Sequence, residues 1–181
     1  GVTEEMPNEY AIALGSSDIT IYEMLGAYSS FANFGNYIKP EMVWRIEDAN
    51  GRVIKEVKNE TKEVMNEMYA YTMIDLMKGV TRFGTASGEL RRMGIPETVE
   101  IAGKTGTTQN NSDGWFMGIT PNLATGVWVG WEDRATHFWS TGEGQGAKMA
   151  LPIWGIFMKK IWADKELGIT PDDKFAKPSN W

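Results

Sequence analysis

Between residues 98 and 131 the chain carries three runs that favour extended structure, with very little chain between them. Thr98-Val99-Glu100-Ile101 leads the first, which reads as a strand over 99–107; the second covers 113–120 and the third 123–131. Asn110-Asn111-Ser112 and Pro121-Asn122 supply turn residues between them. A parallel crossover needs about a dozen residues or more, so links this short force antiparallel neighbours. An antiparallel sheet therefore anchors the C-terminal half, and whatever helices the rest forms must pack on it: an α+β fold.

The flanking chain has its own punctuation. Residues 1–19 read as a loop leading in. Thr20-Ile21-Tyr22-Glu23 fits a capping box, a hydroxyl at the cap and a carboxylate three residues on. Ile21, Met24, Leu25, Tyr28, Phe31 and Ala32 then recur at helical spacing. The extended arms 42–46 and 52–57 flank Asp48-Ala49-Asn50-Gly51, where Asn-Gly signals a hairpin. A second helix is expected over 67–82, burying Tyr69, Met73, Leu76, Met77 and Val80. The stretch 86–96 reads as a mobile basic loop through Arg91 and Arg92, and 132–148 as a glycine-loosened loop. Pro152 is placed to open a final helix that buries Ile153, Trp154, Phe157 and Ile161. The tail from 168 to 181 looks polar and frayed. All 181 residues fit one domain, with no internal repeat.

Composition narrows function mainly by exclusion. A net charge of −6, spread without runs, invites neither nucleic acid nor an anionic membrane. With no cysteine and one histidine, His137, there is no disulfide, no thiolate chemistry and no histidine/cysteine metal site to assemble. No apolar run approaches the roughly 20 residues of a membrane span, and no signal-peptide pattern opens the chain. The eight tryptophans and eleven methionines read as core filling.

The chemistry concentrates in Ile101-Ala102-Gly103-Lys104-Thr105-Gly106-Thr107-Thr108, which gathers one cation, two glycines and three hydroxyls in eight residues. Glycine on both sides leaves the main chain bare for close approach of a ligand. A phosphate-cradling loop would need glycine at position 98 and a helix after Lys104; Thr98 stands there, and Gly106 and Asn110-Asn111 follow where the helix should run. A plain edge strand with a glycine bend is the other reading of the triplet alone.

The continuation separates these. Lys104-Thr105-Gly106-Thr107-Thr108 is followed by Asp113-Gly114-Trp115-Phe116-Met117-Gly118-Ile119-Thr120-Pro121 and then Gly126-Val127-Trp128-Val129-Gly130. With Ala13-Leu14-Gly15-Ser16, Tyr22-Glu23-Met24, Phe31-Ala32-Asn33, Gly84-Thr85-Ala86 and Leu151-Pro152-Ile153-Trp154, this resembles, in order, the C-terminal part of the transpeptidase domain of bifunctional (class A) penicillin-binding proteins. The resemblance implies the penicillin-binding-protein/β-lactamase-like fold, with this chain holding its last three sheet strands. It implies serine acyl transfer in peptidoglycan cross-linking, with stem peptides and β-lactams as ligands, no cofactor, and a site facing the periplasm or cell exterior. The family's membrane anchor is expected outside this sequence, as is any glycosyltransferase domain.

Residue by residue, the resemblance makes Lys104 the carboxylate anchor and a participant in proton traffic. Thr105 and Thr107 become hydroxyl donors to that carboxylate, and the Thr107 N–H one of two oxyanion donors. Gly106 gives the acyl group room along the strand, and Thr108 completes the binding stretch. Alternation along a strand supports this, because residues 105 and 107 face one way. Trp115 and Phe116 are better read as core aromatics, and Asp113 as a turn residue. No serine here has lysine three places on, and no serine or tyrosine has asparagine two places on. The expectation is a transpeptidase portion whose nucleophile, base and Ser-x-Asn loop lie in a separate N-terminal half. The rival expectation is a catalysis-free module that binds a peptide or partner along the same strand. The outer edge of the 123–131 strand is expected to stay open unless the 42–57 hairpin folds over it.

Overall fold

The computed structural model describes every residue except Gly1, Glu4, Glu5 and Asn180. A short 3-10 turn, Tyr10–Leu14, precedes helix α1 (Ile21–Ala32). Strands β1 (Asn36–Ile38), β2 (Arg45–Glu47), β3 (Val53–Glu56) and β4 (Thr61–Glu63) come next, then helices α2 (Glu67–Arg82) and α3 (Ser87–Arg92). Strands β5 (Ala102–Thr107), β6 (Gly114–Thr120) and β7 (Leu123–Val129) follow, and helices α4 (Thr141–Gly144) and α5 (Gly146–Ala163) close the series. β5, β6 and β7 form one antiparallel sheet in that order, with Thr105 opposite Phe116 and Phe116 opposite Val127. β2 and β3 make the expected surface hairpin, and β1 pairs with β4. That last pair was not foreseen, since each strand is only three residues long. Neither small sheet pairs with β7, so among the described residues its outer edge stays unpaired.

The sheet is sandwiched. α5 lies on one face, where Trp154 and Phe116 meet edge to face at 5.1 Å and Ile101, Ala147, Ala150, Leu151 and Met158 fill in around them. α1 and α2 lie on the other, where Ala102 and Ile119 pack with Tyr71, Ile74 and Met77. α1 starts as expected: Thr20 accepts from the Glu23 amide and the Glu23 carboxylate reaches back to Thr20. Thr3 also donates to that carboxylate through its side chain and backbone, and with Thr20 this holds the Glu23 pKa down at about 2.

Five expectations need correcting. The buried stripe of α2 is Ala70, Tyr71, Ile74, Met77, Lys78 and Thr81, one residue out of phase with the expected one, and Tyr69 and Leu76 are exposed. Counting apolar residues missed it because half the stripe is small or polar. Thr81 donates its hydroxyl to the Ile101 carbonyl, and Lys78 lies 3.5 Å from Glu100 with its ammonium over the Tyr71 and Phe175 rings. Residues 87–92 are helical, not a loop. Arg92 and Lys148 both pair with the buried carboxylate of Glu89, while Leu90 and Ile95 enter the core.

α5 begins at Gly146, so Pro152 sits inside it, and Ile153 and Phe157 face outward while Trp154 is fully buried. Small residues decide that phase, because Ala147 and Ala150 let the helix come down onto the sheet. The tail is docked, not frayed. Lys174 donates to the Thr98 carbonyl, the Phe175 amide donates to Glu100, and Trp181 meets Tyr71 edge to face. Burial pushes the Glu100 carboxyl up, but the Phe175 amide, Lys78 and Lys174 outweigh it and hold it below its ordinary range. Finally, core filling accounts for Trp154 and several methionines but not for Trp44, Trp131 or Trp139, which are exposed. Among the described residues, no helix is long and apolar enough to cross a membrane.

Candidate active site

β5 is an edge strand, and Lys104 through Thr107 lie along its open side. Lys104 and Thr107 are exposed, and Thr105 and Gly106 half-buried. The direction of the main chain follows from the ladder. The Thr108 N–H donates to the Asp113 carbonyl at 3.1 Å, so residue 108 faces its partner chain. In an antiparallel pair that orientation alternates, so the N–H and C=O of Thr105 and Thr107 face the open edge. The Lys104 ammonium agrees, for it folds onto the outward carbonyl of Thr105 at 2.6 Å.

Two neighbouring elements hold the hydroxyls on this edge. The turn after α2 brings the Thr85 hydroxyl within 2.8 Å of the Thr105 hydroxyl. The first residue of α5, Gly146, donates its N–H to the Thr107 oxygen at 3.0 Å. Gly146 sits so close that a Cβ there would stand 2.3 Å from the Gly106 carbonyl and 2.4 Å from that of Trp115. Glycine is needed at this contact, and a side chain would lift the helix start from the strand.

Thr108 is used differently. Its oxygen accepts from the Asp113 amide at 2.9 Å and lies 3.0 Å from the Ser112 hydroxyl, closing the turn from β5 to β6. The structure thus gathers Lys104, Thr105, Gly106 and Thr107 on one open edge and sets the Thr108 hydroxyl into the turn at its end. Phe116 is buried in the core as expected, whereas Trp115 is half-buried and lies outside the core clusters. His137 is half-buried, with its ring against Trp139 at 6.0 Å. Among the described residues no group of three or more His, Cys, Asp or Glu could hold a metal.

Sequence reasoning missed the three supports of this edge. Thr85 carried a signal, since Gly84-Thr85-Ala86 belongs to the resemblance, but nothing in it pointed to Thr105. Gly146 looked like loop glycine. Glu89 fell within the stretch read as a mobile basic loop, yet its side chain is 2% exposed and grips Lys148 in the first turn of α5 at 3.1 Å. The Arg92 guanidinium, outweighing burial and helped by Lys148, holds the Glu89 carboxyl below its ordinary value of 4.5. A carboxyl depressed by folding stabilises the protein above its unfolded pKa and loses that contribution as pH falls through the folded one. The melting temperature should therefore decline as pH drops below 4.5, and Glu89→Gln should flatten that part of the profile. An unchanged profile in the variant would show that Glu89 does not contribute to it.

The penicillin binding protein transpeptidase domain family matches residues 5–146, and the chain belongs to that family. The resemblance to the class A branch also holds. Penicillin-binding protein 1A of Aquifex aeolicus (strain VF5) is 34% identical over 168 residues, 91% of this chain and 22% of that protein. The chain thus spans about a fifth of the length of that curated relative. The crystal structure of penicillin-binding protein 1A from Haemophilus influenzae superposes with a TM-score of 0.74 at 26% identity, covering 94% of this chain and 30% of that one. The PonA1 protein from Mycobacterium tuberculosis in complex with penicillin V gives 0.71 at 25% identity, covering 96% of this chain and 45% of that one.

Proposed function

We propose that this chain supplies the Lys-Thr-Gly wall of a serine D,D-transpeptidase, which cross-links peptidoglycan stem peptides outside the cytoplasm and is acylated by β-lactams. The observation that carries the reading is the open edge of β5, with an exposed ammonium, two supported hydroxyls and outward main-chain groups together. The ammonium of Lys104 attracts the substrate carboxylate and lowers the cost of proton transfer nearby. Thr105 and Thr107 donate their hydroxyl protons to that carboxylate, a charge-assisted contact stronger than a neutral one. As the serine oxygen bonds to the acyl carbon, negative charge collects on the carbonyl oxygen, and the Thr107 N–H meets it. Gly106 leaves the acyl chain free to lie along the strand, and Thr108 fixes where the strand turns away.

The nucleophile and base belong to a Ser-x-x-Lys helix turn, a pattern this sequence does not contain. The chain alone should therefore take no covalent label, because an acyl-enzyme needs an activated nucleophile. Intact-mass spectrometry after incubation with benzylpenicillin should show the unmodified mass. A stoichiometric, site-specific adduct would place a nucleophile within these 181 residues and overturn the division of labour.

A further inference from the structure

We propose that Thr85 is a positioning residue for carboxylate recognition, acting through Thr105; this rests on the function proposed above. The two hydroxyl oxygens lie 2.8 Å apart, a hydrogen bond in which either could donate. The neighbouring pair shows what the edge requires. At Thr107 only the Gly146 N–H can donate, so the Thr107 oxygen accepts at 3.0 Å and its own proton is left for a ligand. Thr105 lies two residues away on the same strand face, and the same carboxylate must meet it. If Thr105 gave its proton to Thr85, it would offer an anion only lone pairs, which repel it. The Thr85 hydroxyl therefore donates to Thr105, and the Thr105 proton points outward beside that of Thr107. Accepting a hydrogen bond polarises the Thr105 hydroxyl and makes it a better donor to the anion.

Thr85 is exposed and sits in the turn between α2 and α3, where its hydroxyl has no second role among the described contacts. Its removal orphans no buried group, so the effect should appear in recognition and not in folding. The test uses this chain joined to the Ser-x-x-Lys and Ser-x-Asn segments of its family. It compares the second-order acylation rate constants for benzylpenicillin and for its methyl ester, which lacks the anionic carboxylate. The ratio of the two isolates carboxylate recognition, whereas a merely structural defect slows both ligands alike.

Thr85→Val should lower the ratio about two- to threefold, because Thr105 keeps its bond to the carboxylate and loses only the contact that polarises and orients it, with the melting temperature unchanged. Thr85→Ser keeps the hydroxyl and should restore the ratio. Thr105→Val is the arm that separates this inference from the reading beneath it. If Thr105→Val lowers the ratio and Thr85→Val does not, the role of Thr85 is overturned while the site stands. If neither does, both fall.

Discussion

Lys104→Ala is expected to slow β-lactam acylation of the joined domain on the order of a hundredfold or more while leaving its melting temperature nearly unchanged. The two halves of that result have separate causes. Lys104 lies exposed on the β5 edge and, among the described residues, its ammonium hydrogen-bonds only the Thr105 carbonyl, so the fold loses a solvated cation. Surface losses of that kind seldom exceed about 1 kcal/mol. In the reacting complex the same cation would face a substrate carboxylate in a site from which ligand has displaced water, where fixed charge counts for far more. Lys104→Arg should recover only part of the rate, because a planar fork replaces a compact ammonium. Acylation kinetics and thermal melting on the same preparations check this. Acylation at the parent rate in Lys104→Ala would remove the residue from the mechanism.

Trp154→Ala should cost about 3–5 kcal/mol of stability, the largest effect expected from any single truncation in the chain. Trp154 is fully buried, and its ring fills the space that glycine leaves at Gly118, where a Cβ would stand 2.4 Å from the indole. The indole N–H donates to the Thr125 hydroxyl, and Phe116 and the indole meet edge to face. Truncation removes all three contacts and opens a cavity between α5 and the sheet that a backbone so closely seated cannot collapse to fill. Urea unfolding should show a lower midpoint with the slope kept. Gly118→Ala should be harmful for the complementary reason, an added methyl with nowhere to go. A loss under about 1 kcal/mol in Trp154→Ala would mean that α5 is not packed as described.

Much of this was legible in the sequence, and the pattern of what was not has physical causes. Short links fixed the antiparallel order of β5, β6 and β7, and the capping box at Thr20 placed the start of α1. The Asn-Gly turn placed the β2–β3 hairpin. These signals are local, carried by turn and cap chemistry. The misreadings at α2 and α5 share one origin. Each helix buries small or polar residues, Ala70 and Thr81 in one and Ala147 and Ala150 in the other, which a count of large apolar side chains passes over. Pairings distant in sequence were equally silent. Lys78 with Glu100, Glu89 with Lys148 and Phe175 with Glu100 turn lone charges and a polar tail into satisfied contacts. At the candidate site the sequence showed which groups cluster, through Lys104-Thr105-Gly106-Thr107. It could not show that Thr85 and Gly146 reach across to hold two of those hydroxyls.

The central claim is that the β5 edge receives the ligand carboxylate and its reacting carbonyl. A crystal structure of the penicillin acyl-enzyme, formed by this chain together with the Ser-x-x-Lys and Ser-x-Asn segments, measures it directly. The ligand carboxylate should lie within about 3 Å of both the Thr105 and Thr107 hydroxyls, and the acyl carbonyl oxygen at the Thr107 N–H. A carboxylate held by other residues, with the β5 edge facing solvent, would contradict it.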